Sequence, residues 1–441
     1  RGGVSLLRAW GTNLPSVPDE PSSPPFGDMA AQMMLIPIAY RDADTFFPLM
    51  GDWSEVCRLY HDDYQFARDR EGNAPERARQ LAAGAATPRA KAEALYRFVR
   101  DEIATEGGVG VGLRKGVTVG DTLKKARGDA ADKALLLQRM LQALKIDSQL
   151  VWVADRAGGR VDAAVPNPAW FDRPIVRLSL DGQLVHLDPS DPSLAFGHLA
   201  PGLHGTTAVV FDRKKPETVV LPVSTLTDNT RAVTLDLAVD DDGNVTGKGA
   251  MAMTGAHAWS RTRWREGETE TREGWKKWLE EGFPDYAVSD IQYRELVDPA
   301  PPKVEVEWTL KLREEKLLPD EVTVVPSQPL GPIRASNLFP ASGRRTPIYL
   351  AYADRDDVEV RVTWPEGWRV EARPRPVDFD NPAGGVVLSL EVDEAARRAV
   401  TKRRIDVKQA VAGTRDQVAA MKTVYAEFEK SDAQTLLLVR H

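Results

Sequence analysis

Two periodicities of apolar and polar positions run through this chain, and the change from one to the other divides it. Between about Ala90 and Leu144 apolar residues recur every three or four positions. Ala94, Leu95, Phe98 and Val99 form one such stripe and predict a helix over roughly Ala90–Ile103. Leu136, Leu137, Met140, Leu141 and Leu144 form a second. It follows Gly128–Leu137, where Asp129 is a good N-cap and Asp132, three residues on, completes a capping-box-like pair. Three strands are predicted next, at Gln149–Ala154, Pro174–Leu180 and Leu184–Leu187, the last two joined by Asp181-Gly182, a strong hairpin signal. From Thr230 onward the period is two: Val233, Leu235, Leu237 and Val239 alternate into the turn Asp240–Asn244, and a return strand spans Val245–Met253.

The ends of the chain are less regular. Val4–Trp10 reads as a strand, and prolines at 15, 18, 21, 24 and 25 then favour extended coil. Met33–Ala39 is a second strand candidate, followed by a helix over Asp52–Ala67 with Trp53, Val56, Cys57 and Tyr60 on one face. Beyond the hairpin, Thr271–Glu281 reads as a helical insert carrying Trp275 and Trp278. Strands are predicted at Val304–Leu312, Ile348–Ala353, Val358–Trp364 and Gly385–Val392. Thr414 caps a last helix with Val418, Met421, Tyr425 and Phe428 inward, and Thr435–Val439 closes as a strand.

Composition removes several function classes. Over 441 residues, hydrophobic residues at 42% and charged residues at 28% are ordinary for a globular chain of two to four domains. A net charge of −7, spread along the chain, argues against nucleic acid or an anionic membrane as the main partner. No apolar run approaches the length of a membrane span. The single cysteine, Cys57, excludes an internal disulfide, and its helical stripe predicts a small buried apolar group. The start at Arg1, without Met or a signal peptide, reads as a processed or trimmed fragment. Gly107–Val119 is rich in glycine but lacks the ending of a phosphate loop. Asp240–Asn244 lacks the full calcium ladder and predicts a plain turn. Arg397, Arg398, Lys402, Arg403 and Arg404 are flanked by acids and predict a solvated hairpin.

The order of elements around Gly128 resembles the transglutaminase-like, papain-type cysteine core, in the form found in bacterial envelope proteins. There the helix opens Gly-Asp-Cys-Lys-Asp-Lys-Ala, and Gly128, Asp129, Asp132, Lys133 and Ala134 match that opening. Phe171-Asp172 matches the approach to the family's histidine, and Leu187-Asp188-Pro189 its aspartate strand. The likeness implies an α+β fold, a papain/transglutaminase-like core flanked by antiparallel β-sandwich-like regions. It implies residues 1–80 as the tail of an N-terminal sandwich plus a linker helix, with Asn13, Pro15, Glu20 and Pro21 in family positions, a core at 81–213, and a β-rich domain with a helical insert at 230–441. It also implies the periplasm or cell surface.

Two departures decide the chemistry. The nucleophile position is Ala130 and the histidine position Arg173, and Asp188 alone of the triad remains. Alanine has no nucleophile, and arginine stays protonated and supplies no base. Loss of two triad members leaves no acyl-transfer route of this kind. The sequence therefore predicts a pseudoenzyme without cofactor or metal that binds a protein or envelope component, with cleft candidates Asp129, Asp132, Arg173, His186 and Asp188. Two alternatives stay open: a hydrolase with a changed mechanism using those carboxylates or His186, and an enzyme in which cysteine was replaced by design. Arg173 is expected to reach Asp188 with two parallel hydrogen bonds.

Overall fold

The first third of the chain, where the helical period holds, folds into helices: a single turn α1 (Phe26–Met29), α2 (Trp53–Asp69), α3 (Ala74–Leu81), α4 (Pro88–Glu102), α5 (Val119–Lys125) and α6 (Ala130–Ala143). The computed structural model describes residues 8, 10–108, 110–262, 267–284, 286–298, 302–312, 321–326, 335–340 and 343–440, so the strand expected over Val4–Trp10 falls largely outside the described residues. Local signals set the helix starts. Asp52 caps α2, and Thr87 caps α4 ahead of Pro88, whose missing N–H costs nothing at a first turn. α6 opens on the capping box read from the sequence: Asp129 Oδ1 accepts from Asp132 N at 2.9 Å, and Asp132 Oδ2 accepts from Asp129 N at 3.1 Å.

α6 is the axis of the first core. Leu136, Leu137, Met140 and Leu141 are wholly buried among Val56, Cys57 and Tyr64 of α2, Ala78 of α3, and Leu95 and Val99 of α4. On its other side α6 lies on a five-stranded antiparallel sheet ordered Gln183–Leu187, Arg173–Leu180, Ser148–Val153, Thr207–Val210 and Glu217–Val220. The hairpin between the first two turns at Asp181 and Gly182, with φ of 54° and 77°, as a two-residue primed turn requires. The interior of the expected 81–213 core thus extends back to Val56. The sheet's far face packs a second cluster, Val151, Val153, Ile175, Leu199 and Leu203 among its members.

Past Thr230 the period-two pattern builds an eight-stranded sheet. Its order is Tyr286–Leu296, Lys303–Leu312, Val245–Thr254, Thr230–Val239, Asp354–Thr363, Arg398–Val407, Gly384–Asp393 and Val377–Asn381. Thr230–Val239 runs parallel to Asp354–Thr363, and the other neighbours are antiparallel. Helices α7 (Gly255–Thr262) and α8 (Glu268–Gly282) supply Ala258, Trp275 and Leu279 to its core. Helix α9 (Arg415–Asp432), capped by Thr414, brings Met421, Val424 and Phe428 against Val386, Ile405 and Val407. A three-stranded sheet orders Val322–Pro326, Thr435–Arg440 and Trp368–Ala372. The fold is α+β with several antiparallel sheets.

Several expectations are corrected. Ile348–Ala353 yields only the short strand Ile348–Tyr349, paired with Val411–Ala412. Residues 33–38 are irregular, and the strands there are Ala39–Asp42 and Thr45–Pro48, a hairpin of their own. The basic cluster is not uniformly solvated. It lies on a strand whose faces alternate, so Arg403 is buried and ion-paired with Asp432 of α9, while Lys402 and Arg404 face outward. Asp240–Asn244 is a plain turn, with Asp240 accepting from the backbone of Asp242 and Asn244 and with φ of 75° at Gly243.

The two halves are joined by specific contacts. Arg100, buried on α4, donates to Asp298 at 2.7 Å, and Arg156 donates to the backbone oxygens of Leu350 and His204. Glu20, on the proline-rich arm, accepts from Arg345 N and from both the backbone and hydroxyl of Thr346. Among the described helices none is long and apolar enough to cross a membrane.

Candidate functional site: a cleft at the start of α6

The cap of α6 and the edge of the five-stranded sheet bring three sequence positions together. Ala130 is the first residue of α6, Arg173 starts the strand after Phe171-Asp172, and Asp188 follows the strand Gln183–Leu187 directly. Arg173 Nε donates to Asp188 Oδ2 at 2.8 Å. The expected second, parallel bond is not made: Asp188 Oδ1 instead accepts from Ser190 N at 3.0 Å and from Ser190 Oγ at 2.5 Å. Asp188 is fully buried, and its backbone oxygen accepts from Tyr96 Oη at 3.1 Å. Burial works against the Arg173 charge, but the attraction and hydrogen bond of Asp188 outweigh it and raise the guanidinium pKa. At this position the chain holds a fixed cation and no base.

In front of the pair lies a cleft of about 590 Å³, lined by Ala130, Arg173, Thr105, Asp155, Asp191 and Trp259 among others. Its floor is held from behind by Lys133. That wholly buried ammonium donates to Ile103 O at 2.6 Å, Thr105 Oγ1 at 2.9 Å and Arg100 O at 3.3 Å, and burial pushes its pKa down to about 8. Thr105 passes the contact on, donating to Ser190 O at 2.8 Å. The helix, the cleft wall and the Asp188 turn are thereby one hydrogen-bonded unit.

The remaining expected residues lie elsewhere. Asp129 and Asp132 are buried in the capping box, and Arg114 covers them, its Nε 2.9 Å from Asp132 Oδ2 and 3.5 Å from Asp129 Oδ2. Burial and then the neighbouring Asp129 raise the Asp132 pKa despite that guanidinium. His186 pairs in register with Arg177, is buried outside the cleft lining, and is pushed down to about 4 by burial and by Arg177. Cys57 sits in the first core, its thiol pushed up to about 12 by burial. Of the cleft candidates, Arg173 lines the cleft and Asp188 stands directly behind it.

Sequence reasoning missed Trp259, Asp155 and Asp191. Trp259 comes from α7, in the half built on the other periodicity, and its Nε1 donates to Asp191 Oδ2 at 2.8 Å. No local pattern marks such a contact. Among the described residues one group, His257, Asp354 and Asp356, places its donor atoms within 4.8 Å of one another. Its side chains already engage one another: His257 Nε2 is 3.0 Å from Asp354 Oδ2, and Arg231 holds both oxygens of Asp356.

Comparison with known proteins agrees with this architecture. Residues 321–438 match the family described as a domain of unknown function with solved structure, DUF3858. A solved structure of a candidate protease from Parabacteroides distasonis aligns with a TM-score of 0.51 at 14% identity, over 91% of this chain and 61% of that one. At that identity the likeness is one of fold, and this chain spans less than two thirds of that protein's length. No curated protein matches.

Proposed function

We propose that this chain is a non-catalytic transglutaminase-like protein that binds a protein or envelope component through the cleft at α6. One observation carries the reading. The position from which a nucleophile would act is Ala130, and the position of its base is a cation locked to Asp188. The cleft in front of them is nonetheless kept open and rigidly backed. Likeness in fold to a candidate protease makes a peptide segment the natural class of ligand. From the resemblance we place the protein in the periplasm or at the cell surface, with the segment before α2 as the tail of a preceding sandwich.

A hydrolase of changed mechanism is the weaker reading, because its groups are already engaged. Asp129 and Asp132 cap α6 and meet Arg114, Asp188 meets Arg173 and Ser190, and His186 is buried outside the cleft lining. The engineered-enzyme alternative would explain Ala130 but not Arg173.

The test pairs an activity assay with a blocked cleft. The native chain should show no amidase, protease or transglutaminase turnover, and Ala130→Cys alone should stay inactive for want of a base. Capture of partners from envelope extracts should be lost in Ala130→Trp, which fills the cleft. Turnover by the native chain that alkylation of Cys57 abolishes, or capture indifferent to Ala130→Trp, would overturn the proposal.

A further inference from the structure

A second concavity, sharing no residue with the cleft at α6, lies where α2, α3, α4 and α5 converge. Its volume is about 840 Å³. Arg70 enters it from the end of α2, Arg77 from α3 and Lys124 from α5, while Phe98 of α4 and Leu123 of α5 give it an apolar surface. A close approach of two backbone segments fixes its seam. Gly120 N donates to Arg70 O at 2.9 Å, and a Cβ on Gly120 would stand 3.0 Å from that oxygen. Gly72, at φ of 57°, completes the approach, since a Cβ there would meet Gly120 Cα at 3.1 Å. Arg77 lies over the Phe98 ring, its Cζ 4.9 Å from the centroid, which holds the guanidinium at the wall.

The cations of this pocket differ from their neighbours in the chain. Arg68 is 3.8 Å from Asp69, Arg79 is 3.2 Å from Glu76, and Lys125 is 3.8 Å from Asp121. Arg70, Arg77 and Lys124 meet no carboxylate among the described residues. The one acid of the lining, Asp121, is already taken up by Thr118, whose Oγ1 donates to it at 2.7 Å. Asn73 begins α3 without a side-chain capping bond, which leaves its amide uncommitted at the pocket wall. Like charges gathered in one hollow repel, and in a chain of net charge −7 this excess of positive charge is local. Three cations against one acid leave two positive charges over. A phosphate monoester carries about two negative charges at neutral pH and accepts paired bonds from a guanidinium, whereas a single carboxylate would leave one cation unmatched. We propose that this pocket binds a phosphate monoester, held by Arg70, Arg77 and Lys124, with the organic part of the ligand against Phe98 and Leu123. The assignment is independent of the cleft and of what occupies it.

Titration calorimetry on the full chain tests this with glycerol 3-phosphate as the soluble ester and acetate as the singly charged control. Vesicles of phosphatidylcholine and phosphatidic acid present the same ester on a lipid. We expect the ester to bind at least about tenfold more tightly than acetate, and its affinity to fall as salt is raised. Arg77→Gln and Lys124→Gln should each weaken it about tenfold, the loss of one charge-assisted bond. Arg79→Gln, exposed on α3 and outside the lining, should leave it unchanged. Lys124 is exposed, so its replacement spares the fold, and Arg77→Lys should bind better than Arg77→Gln. The vesicle arm names the source: binding to glycerol 3-phosphate makes the ligand a soluble ester, and binding to vesicles alone, lost in Lys124→Gln, makes it a lipid headgroup. Either result upholds the site. No binding of either form, acetate bound as tightly as the ester, or equal weakening by Arg79→Gln and Lys124→Gln would overturn it.

Discussion

Arg173 and Asp188 show how one buried charge constrains its neighbours. A buried carboxylate without a partner is costly, and the Arg173 guanidinium satisfies Asp188. Removing one side of such a pair strands the other, so Arg173→Ala should destabilise the chain by about 3–5 kcal/mol in urea unfolding. A loss near zero would mean that water takes the place of the arginine. His186 gives a prediction of opposite character. Its folded pKa is pushed down to about 4, so the unfolded chain binds the proton more readily. The contribution is present above the ordinary histidine range and is lost as pH falls through about 4. His186→Gln should therefore flatten the acid limb of stability against pH, measured by urea midpoints.

At the level of elements, α6 is organised from its first turn. Asp129→Ala removes a buried cap and should cost about 1–2 kcal/mol, more than Asp129→Asn, which keeps the acceptor. Arg114 would then face one carboxylate fewer, so part of the loss should vanish when Arg114 is also replaced, which a double-mutant cycle measures. For α7 the glycine at 255 is required by both its backbone and the space around it, and Gly255→Ala should detach the helix start. Loss of protection against hydrogen exchange over residues 256–262 is the expected sign.

On the scale of the whole molecule the two halves meet through polar contacts, among them Arg100–Asp298, whose guanidinium is buried. Asp298→Ala leaves Arg100 with Asp101 and Leu194 O but cuts its link to the second half. Calorimetry should then resolve two melting transitions where the parent chain shows closer coupling. An unchanged single transition would mean that the remaining contacts, among them Arg156 with Leu350 O and Trp259 with Asp191, hold the halves together.

What the sequence determined is what local physics can carry. Caps and periodicity located α4, α6, α9 and the hairpins at Asp181-Gly182 and Asp240–Asn244, because an N-cap, a stripe of Leu or a primed turn works within a few residues. The positions that meet at the cleft, Ala130, Arg173 and Asp188, were legible because a motif tied each to an element edge. Strands such as Val377–Asn381 and Trp368–Ala372 were not, although both alternate, because prolines at 365, 374 and 376 mark runs of only five residues as loop. Nor could the pattern around Arg403 reveal its burial: alternation sends every second residue inward, and Ser431 and Asp432 on α9 make an inward arginine tolerable. Tertiary structure alone decided that Arg114 would close over the Asp129–Asp132 cap, and that His186 would be buried beside Arg177. It also seated a tryptophan from the second half in the cleft. Those outcomes depend on which surfaces meet, and contacts between residues far apart in the chain leave no period to read.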